Sequence, residues 1–497
     1  MLNDNAPGCR YGGPRMKKMK WILISLTGVL ALGGGGGWLA LRSWLQANAT
    51  PDALVQRVEQ EWNCRANVKK VDVTLFANPA KISVSGFGIS PRDGEVGKPL
   101  AERAPTSPGP GIASVPTMHL EVDTQGLAGG RLHVKKLLLS EVWLREEITP
   151  EGTSILEETF RRPDRVAPGQ TMVPVTPPTL TVDDKPVAAA EALAPEPAGG
   201  GIVPPVTAPA PIPTTVSATK PDDSGLPFGL IVDEAILEKM TFRIRNRQAR
   251  TTTNFNNLNV RISAMDVDTA DLAKHNECKI EVSSLIDSSG RAKVGSETKD
   301  VKFADFALAA HGMIKPYDEA TREFAPHGQV TLELKKGGIF GGTQTIGQAA
   351  GKDKSFANLK DKFGIDVSDL IIGGTLQEDV SAAVNYEGGK VHFLNDVRFV
   401  FPDYVVTLRK DSWINASDDD HDMRLQLLPT EALAKRIQEG VTVKMGDGVA
   451  KLALSVFNDG QGRLAFDIAS GERLSKPKFR LDGQAGVIEQ LFKGLLK

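Results

Sequence analysis

The sequence predicts a mostly β protein in which an N-terminal transmembrane helix is followed by an elongated, twisted antiparallel β-sheet. Three observations support this fold class. An apolar run of about twenty residues near the N-terminus has the length of a membrane-spanning helix. Apolar and polar residues then alternate over most of the remaining chain, which is the period of a half-buried strand. Few stretches have helical spacing, so we expect a few short helices, one of them amphipathic and C-terminal.

A transmembrane anchor is predicted at residues 21–44, after a cytoplasmic segment at residues 1–20. The core of the anchor, Trp21 to Leu41, has only one serine and one threonine as polar side chains, and a helix of this length crosses a ~30 Å hydrocarbon core. Basic residues crowd its N-terminal side, which places the N-terminus in the cytoplasm. A cleaved signal peptide is the alternative, because Ala47-Asn48-Ala49 has the A-x-A cleavage pattern, although its apolar region is long for that class.

A short juxtamembrane helix is predicted at residues 50–63. Thr50-Pro51 supplies an N-cap residue and a first-turn proline. The apolar residues that follow, Val55 and Val58 among them, recur at helical spacing on one face. We therefore expect an amphipathic helix between the anchor and the first strand.

Residues 67–161 form the first predicted β region. Apolar residues alternate in Lys70–Leu75, and after Asn78-Pro79 the chain returns with alternating residues in Lys81–Ser85. This pattern predicts a β-hairpin with one buried face. The same alternation predicts further strands up to Thr149-Pro150.

A linker at residues 162–225 separates this region from a second predicted β region at residues 226–482. The linker is rich in Pro and Ala and has almost no aromatic residues, so it cannot bury enough surface to offset its ordering entropy. We predict that it is disordered or polyproline-like. Alternation then recurs along the second region, ending with Leu452-Leu454-Val456 and Leu464-Phe466-Ile468. Helices are predicted at Thr430 to Glu439 and, as a C-terminal amphipathic helix, at residues 484–497.

Composition and charge narrow the function classes. The formal net charge of -2 at pH 7 gives no general basic field, which argues against nucleic acid as a partner. Three cysteines are too few for a disulfide framework. Cys9 is on the predicted cytoplasmic side, so Cys64 and Cys278 are the candidates for a pair in an oxidising compartment, and the sequence leaves their pairing open.

The sequence contains no catalytic motif that we recognise. The G-x-S-x-G, H-E-x-x-H and C-x-x-C patterns are absent, and the region Gly341 to Lys352 departs from a phosphate-binding loop at its first glycine. Asp418 to Asp422 is a dense group of metal-ligand residue types. Consecutive residues rarely point at one ion, so a solvated turn is the preferred interpretation and a calcium site the alternative. We predict no enzyme activity, no cofactor and no metal site.

Both ends of the chain resemble AsmA-like proteins, which are anchored in the inner membrane of Gram-negative envelopes and face the periplasm. The N-terminal resemblance rests on the hairpin Val71 to Ile89 close behind an anchor, on the strand Gly130 to Leu139, and on Val142-Trp143-Leu144-Arg145. The C-terminal resemblance rests on Leu474 to Asp482 followed by an amphipathic tail. The chain is short for a family member that bridges an envelope, and the insertion at residues 162–225 departs from the family pattern.

The resemblance implies an inner-membrane protein with its bulk in the periplasm and a non-enzymatic role in lipid handling or transport and outer-envelope maintenance. AsmA-like proteins are related to chorein-type bridge proteins, so it also implies an apolar β-lined groove, with membrane lipids and an envelope protein as partners. The candidate groove residues are apolar residues of the alternating strands: Val71, Val73, Leu75, Leu120, Leu132, Val134, Phe242, Ile244, Val260, Ile262, Leu332, Phe399, Leu425, Leu454 and Phe466.

Periodicity alone favours a closed β-sandwich over an open groove. Alternation shows that one face is dry, and a second sheet, curling of the same sheet or a bound ligand can each cover such a face. A closed β-sandwich predicts a periplasmic scaffold or assembly factor that recruits a protein partner. An open sandwich or groove predicts lipid handling, and the resemblance favours this second form.

Overall fold

The computed structural model describes residues 50–74, 77–105, 111–123, 125, 131–163, 229–294, 297–341, 373–415, 418–473 and 478–481. Several predictions lie outside these residues: the cytoplasmic segment 1–20, the anchor at 21–44, the C-terminal helix at 484–497, Leu75, and all but the first two residues of the linker at 162–225. Within the described residues, no helix combines the length and the apolar character needed to cross a membrane.

The described α-helices are α1 (Pro51–Glu61), α2 (Ile155–Thr159), α3 (Glu431–Met445) and α4 (Asp447–Ser455). α1 corresponds to the helix predicted at residues 50–63. The Thr50 hydroxyl accepts a hydrogen bond from the Ala53 N–H at 3.2 Å, and a proline occupies the first turn. These are the contacts expected of an N-cap, because the first turn of a helix leaves backbone donors without intrahelical partners.

Strands make up most of the described residues and belong to one sheet of 21 strands. The N-terminal strands are β1 (Cys64–Asn67), β2 (Lys70–Thr74), β3 (Ala80–Pro91), β4 (Ala113–Asp123), β5 (Arg131–Ser140) and β6 (Trp143–Ile148). The central strands are β7 (Gly229–Asn246), β8 (Thr251–Val267), β9 (Asn276–Val294), β10 (Glu297–Tyr317), β11 (Phe324–Leu334) and β12 (Ile339–Gly341). The C-terminal strands are β13 (Gly373–Thr375), β14 (Val380–Glu387), β15 (Lys390–Phe393), β16 (Val397–Val400), β17 (Tyr404–Leu408), β18 (Trp413–Asn415), β19 (Asp420–Pro429), β20 (Phe466–Arg473) and β21 (Lys478–Leu481).

The order of strands in the sheet follows the chain closely. β1 and β2 pair with β3, which pairs with β4, and both β5 and β6 lie between β4 and β7. β7 to β11 follow in sequence, then β14, β15 and β18. β17 and β18 pair with β19, and β20 and β21 complete the sheet. Short strands share positions, which leaves about fifteen successive positions and a width of roughly 65 Å at ~4.8 Å per strand.

The prediction of an antiparallel sheet is wrong at one place, because the sheet is mixed. β5 and β6 both pair in parallel with β7. Parallel neighbours need a long crossover connection, and the chain between β6 and β7 includes the long segment at residues 162–225. Side chains alternate in the same way in both kinds of pairing, so the sequence pattern does not distinguish them.

Two predictions near the C-terminus are also wrong. Leu454 was assigned to a strand, but it lies in α4, where Ala450 and Leu454 are one turn apart and both belong to the C-terminal core. The helix predicted to end at Glu439 continues through the exposed residue Gly440. It continues because the next residue, Val441, is buried in the C-terminal core. The helix ends at Gly446, whose φ of 80° suits glycine.

Candidate functional site

One face of the central strands is apolar. Residues directly opposite each other on paired strands project their side chains to the same face of a sheet. Along β7 and β8 the opposite pairs on this face are Leu230–Val267, Val232–Met265, Ala235–Ile262, Leu237–Val260, Met240–Leu258 and Phe242–Phe255. We call this surface, with its continuation in the neighbouring strands, the apolar face.

Bulges keep these apolar residues on one face. The register shifts by one residue near Lys239 in β7 and near Asn257 in β8, which have φ values of 53° and 48°. A bulge inserts one extra residue and changes the phase of the side chains beyond it. A further shift lies near Ala264 in β8, whose φ is 50°. Beyond Leu237, strict alternation would place Lys239 on the apolar face, but Met240 takes that position.

The apolar face continues across the strands that follow. One row of opposite residues runs from β7 to β14: Leu237, Val260, Val282, Ala310, Leu332 and Ala382. Aromatic pairs add to it, since the ring centroids of Phe242 and Phe255 are 5.8 Å apart and those of Phe306 and Phe340 are 4.8 Å apart. The surface is therefore continuous across the centre of the sheet.

The opposite face of the same strands is polar. Arg261 Nη2 lies 2.6 Å from Glu234 Oε1 across β7 and β8. Two hydrophobic side chains on this face, Leu285 and Met313, are each 48% exposed. The two faces of the central strands thus differ in chemistry, as expected for a sheet with one dry side.

Helices cover the apolar face at both ends of the sheet. α1 packs on the N-terminal strands, where Val55 and Val84 belong to one buried cluster. α3 and α4 pack on the C-terminal strands, where Val441 and Ala450 are buried together with Phe466. The apolar residues of the end strands therefore have helical packing partners.

The central part of the apolar face, from Leu237 in β7 to Leu332 in β11, is mostly partly exposed, with Met240 and Ser284 as buried exceptions. Between residues 279 and 375, no Val, Leu, Ile, Met or Phe side chain that the structure describes is fully buried. Val282, Phe306 and Leu332 are all partly exposed, although their neighbours in the sheet are apolar. A contiguous, partly exposed apolar surface is typical of a ligand or partner site.

The sequence-predicted groove residues divide between three places. Those on the central part, which no described helix covers, are Phe242, Ile244, Val260 and Ile262. Leu332 lies at the edge of this part, where it is partly exposed and packs against the C-terminal core. Those on the N-terminal strands are Val71, Val73, Leu120, Leu132 and Val134, of which the last two are buried beside Leu230. Those in the C-terminal core are Phe399, Leu425, Leu454 and Phe466. Leu75 lies outside the described residues.

Sequence reasoning missed several residues of the central apolar face. They are Leu237, Phe255, Met265, Ile280, Val282 and Phe340. Phe255 lies just before the bulge at Asn256-Asn257, where the alternation changes phase. Asparagine tolerates positive φ better than most residues, so a consecutive pair of asparagines inside a strand pattern was the available signal.

Cys64 and Cys278 are both free and buried, so the pairing that the sequence left open is not formed. They lie on β1 and β9, with several strands of the sheet between them. Burial raises the pKa of the Cys64 thiol to about 12 and that of the Cys278 thiol to about 11. Both thiols are therefore protonated at neutral pH.

We predict that neither of these thiols reacts with iodoacetamide at about pH 8 in the folded protein. The thiolate is the reactive form, and here burial both hides the sulfur and keeps it protonated. Peptide mapping by mass spectrometry after brief alkylation measures the modification, and both sites should become labelled in concentrated guanidinium chloride. Rapid labelling of either residue under native conditions would contradict its burial.

A serine, a histidine and a glutamate form a hydrogen-bonded chain on β3 and β4. Ser83 Oγ lies 2.9 Å from His119 Nδ1, and His119 Nε2 lies 3.0 Å from Glu121 Oε1. Hydrogen bonds from His119 and Lys81 hold the pKa of Glu121 below its usual range. Acyl transfer by such a chain needs N–H donors that stabilise an oxyanion, whereas the strand around Ser83 is paired on both sides. We therefore interpret the chain as a cross-strand contact.

The predicted turn at Asp418 to Asp422 does not gather its side chains around one point. His421 is buried, and its Nε2 lies 2.7 Å from Ser470 Oγ on the neighbouring strand. In the part of the chain that the structure describes, no group of three or more His, Cys, Asp or Glu residues is placed to hold a metal ion.

Comparison with known proteins gives no relative for this fold or this apolar face. No family model matches the chain. No curated protein and no solved structure matches it either.

Proposed function

We propose that this protein binds lipid acyl chains on the uncovered central part of its apolar face and so takes part in lipid handling or transport. The observation that carries the proposal is the row from Leu237 to Leu332, which is apolar in every strand and partly exposed. α1 at one end of the sheet and α3 and α4 at the other end limit this surface to the central strands. Flexible acyl chains suit it because they need apolar area and no particular side chain.

The free energy available from such binding is large. Burial of an acyl chain contributes about 0.8 kcal/mol per CH₂, so a sixteen-carbon chain gains on the order of 12 kcal/mol at full burial. A chain that lies on an open face buries about half of its surface, which still leaves several kcal/mol. No catalytic group is needed for this function, and we propose a non-enzymatic role.

The resemblance of both chain ends to AsmA-like proteins supports a wider proposal. Residues 21–44 would anchor the protein in the inner membrane, and the sheet would lie in the periplasm, where it contributes to maintenance of the outer envelope. A sheet roughly 65 Å wide is short for crossing an envelope alone. We therefore expect an envelope protein to continue the path.

A scaffold that binds a protein partner is the second candidate. Val443 in α3 is 89% exposed and Leu452 in α4 is 46% exposed. Exposed apolar side chains on the helices that cover the C-terminal core would give a protein partner a contact. In this case the apolar face would be covered by protein instead of lipid.

The test replaces two residues of the central apolar face by aspartate. Native mass spectrometry and lipid extraction on the full chain, purified from a membrane fraction, should show bound phospholipid. Phe242→Asp with Val260→Asp should lower the bound lipid by about tenfold or more, because each carboxylate would have to leave water when an acyl chain covers it.

The matched control is Leu285→Asp with Met313→Asp, the same change in charge on the polar face of the nearby strands β9 and β10. We expect this variant to keep its lipid and its far-ultraviolet circular dichroism spectrum. A folded wild-type protein without lipid would favour the scaffold. Equal lipid loss in both double variants would show that the apolar face is not the binding surface.

A further inference from the structure

The hairpin between β7 and β8 is rich in arginine. The end of β7 and the turn that follows it contain four arginines: Arg243, Arg245, Arg247 and Arg250. Arg247 is paired with Glu147. The guanidinium groups of the other three have no hydrogen bond or ion pair with any residue in the described segments, and all three side chains are exposed.

On the β6 side of this hairpin, the carboxylate opposite Arg245 is already engaged. Glu147 is buried and is bound by Arg145 and Arg247. Burial by itself raises the pKa of Glu147, but the two guanidinium groups outweigh this effect and hold the pKa below its usual range. In addition, Arg243 lies directly opposite Arg145. Like charges in opposite positions repel. On the other side of the hairpin, Asp287 in β9 belongs to the same row as Arg243, so the β6 side and the turn are the part that favours an external anion.

The other end of the same strands carries the opposite charge. The β8–β9 loop, residues 268–275, and the β10–β11 loop, residues 318–323, lie at that end because the strands are antiparallel. Acidic residues outnumber basic ones in these loops: Asp268, Asp271, Asp318, Glu319 and Glu323 against Lys274 and Arg322. An amphiphile on the apolar face therefore meets a basic and an acidic end.

We propose that the β7–β8 hairpin binds the headgroup of an anionic, phosphate-bearing lipid whose acyl chains lie on the apolar face. This inference rests on the proposed lipid binding. A charged headgroup cannot lie on an apolar surface without loss of hydration, so it must emerge at a strand end. Arginine binds phosphate through several donors at once. In β7 Ile244 belongs to the apolar face and its neighbours Arg243 and Arg245 to the polar face, so the headgroup would bind around the end of the hairpin, beside the turn residue Arg250.

The test compares lipid selectivity in two matched variants of the full chain. The protein is incubated with equimolar phosphatidylglycerol and phosphatidylcholine of identical acyl chains in detergent micelles, and native mass spectrometry gives the ratio of the two bound lipids. We expect the wild type to prefer phosphatidylglycerol. Arg245→Gln with Arg250→Gln should lower the ratio by roughly tenfold or more, at about fivefold per arginine.

The control variant is Lys274→Gln with Arg322→Gln, which removes the same charge at the acidic end and should leave the ratio unchanged. If the folded wild type binds both lipids equally, the headgroup inference is wrong while the proposed function stands. If it binds neither, both fail. An equal drop in both variants would indicate a general charge effect and overturn the inference. The inference would also be wrong if inorganic phosphate stabilised the wild type but not the Arg245→Gln with Arg250→Gln variant, while the wild type showed no preference between the two lipids. That result would indicate a site for free phosphate.

Discussion

Phe466→Ala is expected to lower the free energy of unfolding by about 3–5 kcal/mol, the range for removing a buried aromatic side chain. Phe466 is 0% exposed, lies opposite Leu427 on β19, and has its ring centroid 5.2 Å from that of Phe457. α3 and α4 cover this part of the sheet, so the substitution leaves a cavity under two packed helices. Chemical denaturation followed by circular dichroism measures the loss.

The matched substitution Phe242→Ala is expected to cost about 1 kcal/mol or less. Phe242 stacks on Phe255 across β7 and β8, and such a cross-strand pair contributes less than 1 kcal/mol. Its side chain is already partly in water. Phe242 and Phe466 both lie in stretches where apolar and polar residues alternate. A difference between the stability losses of the two variants therefore distinguishes a core position from a position on the open face. Equal losses would show that Phe242 is a core residue and contradict the proposed binding surface.

Much of the fold could be predicted from the sequence because a sheet with one dry face imposes a period of two. Strands such as β19, with Met423, Leu425 and Leu427 on one face, follow directly from that period. The parallel pairing of β5 with β7 could not be predicted, because it depends on the path of the chain between them. The alternation Leu452-Leu454-Val456 was misleading, because helical packing of Leu454 against the core uses a different spacing.

The sequence predicts that the candidate site is apolar, but it does not predict which part of the sheet forms the site. Alternation identifies apolar residues equally well at Phe242 and at Phe466, since both lie on one face of a strand. What separates them is whether a helix packs above, and that depends on contacts between residues far apart in the chain. The bulges at Lys239 and Asn257 add a second difficulty, because each changes the phase of the pattern within a strand.

Glu59→Ala is expected to lower the free energy of unfolding by about 3–5 kcal/mol, because it leaves a buried guanidinium group without its counter-ion. Glu59 in α1 is 3% exposed, and its carboxylate accepts hydrogen bonds from Arg103 Nη1 at 2.6 Å and Nη2 at 3.0 Å. The backbone N–H groups of Ala66 and Gly97 donate to the same carboxylate. This contact joins α1, β1 and the loop that follows β3.

The control is Arg57→Ala on the same helix, where the ion pair with Glu61 is exposed and the loss should stay within about 0.5 kcal/mol. The double variant Glu59→Ala with Arg103→Ala should lose less than the sum of the single variants, because each change removes the charge that the other leaves unpaired. A loss for Glu59→Ala as small as that for Arg57→Ala would contradict the buried pair. An ion pair of the expected strength between Glu59 and Arg103 holds α1 on the N-terminal strands. Because α1 covers the apolar residues there, the exposed part of the apolar face lies on the central strands.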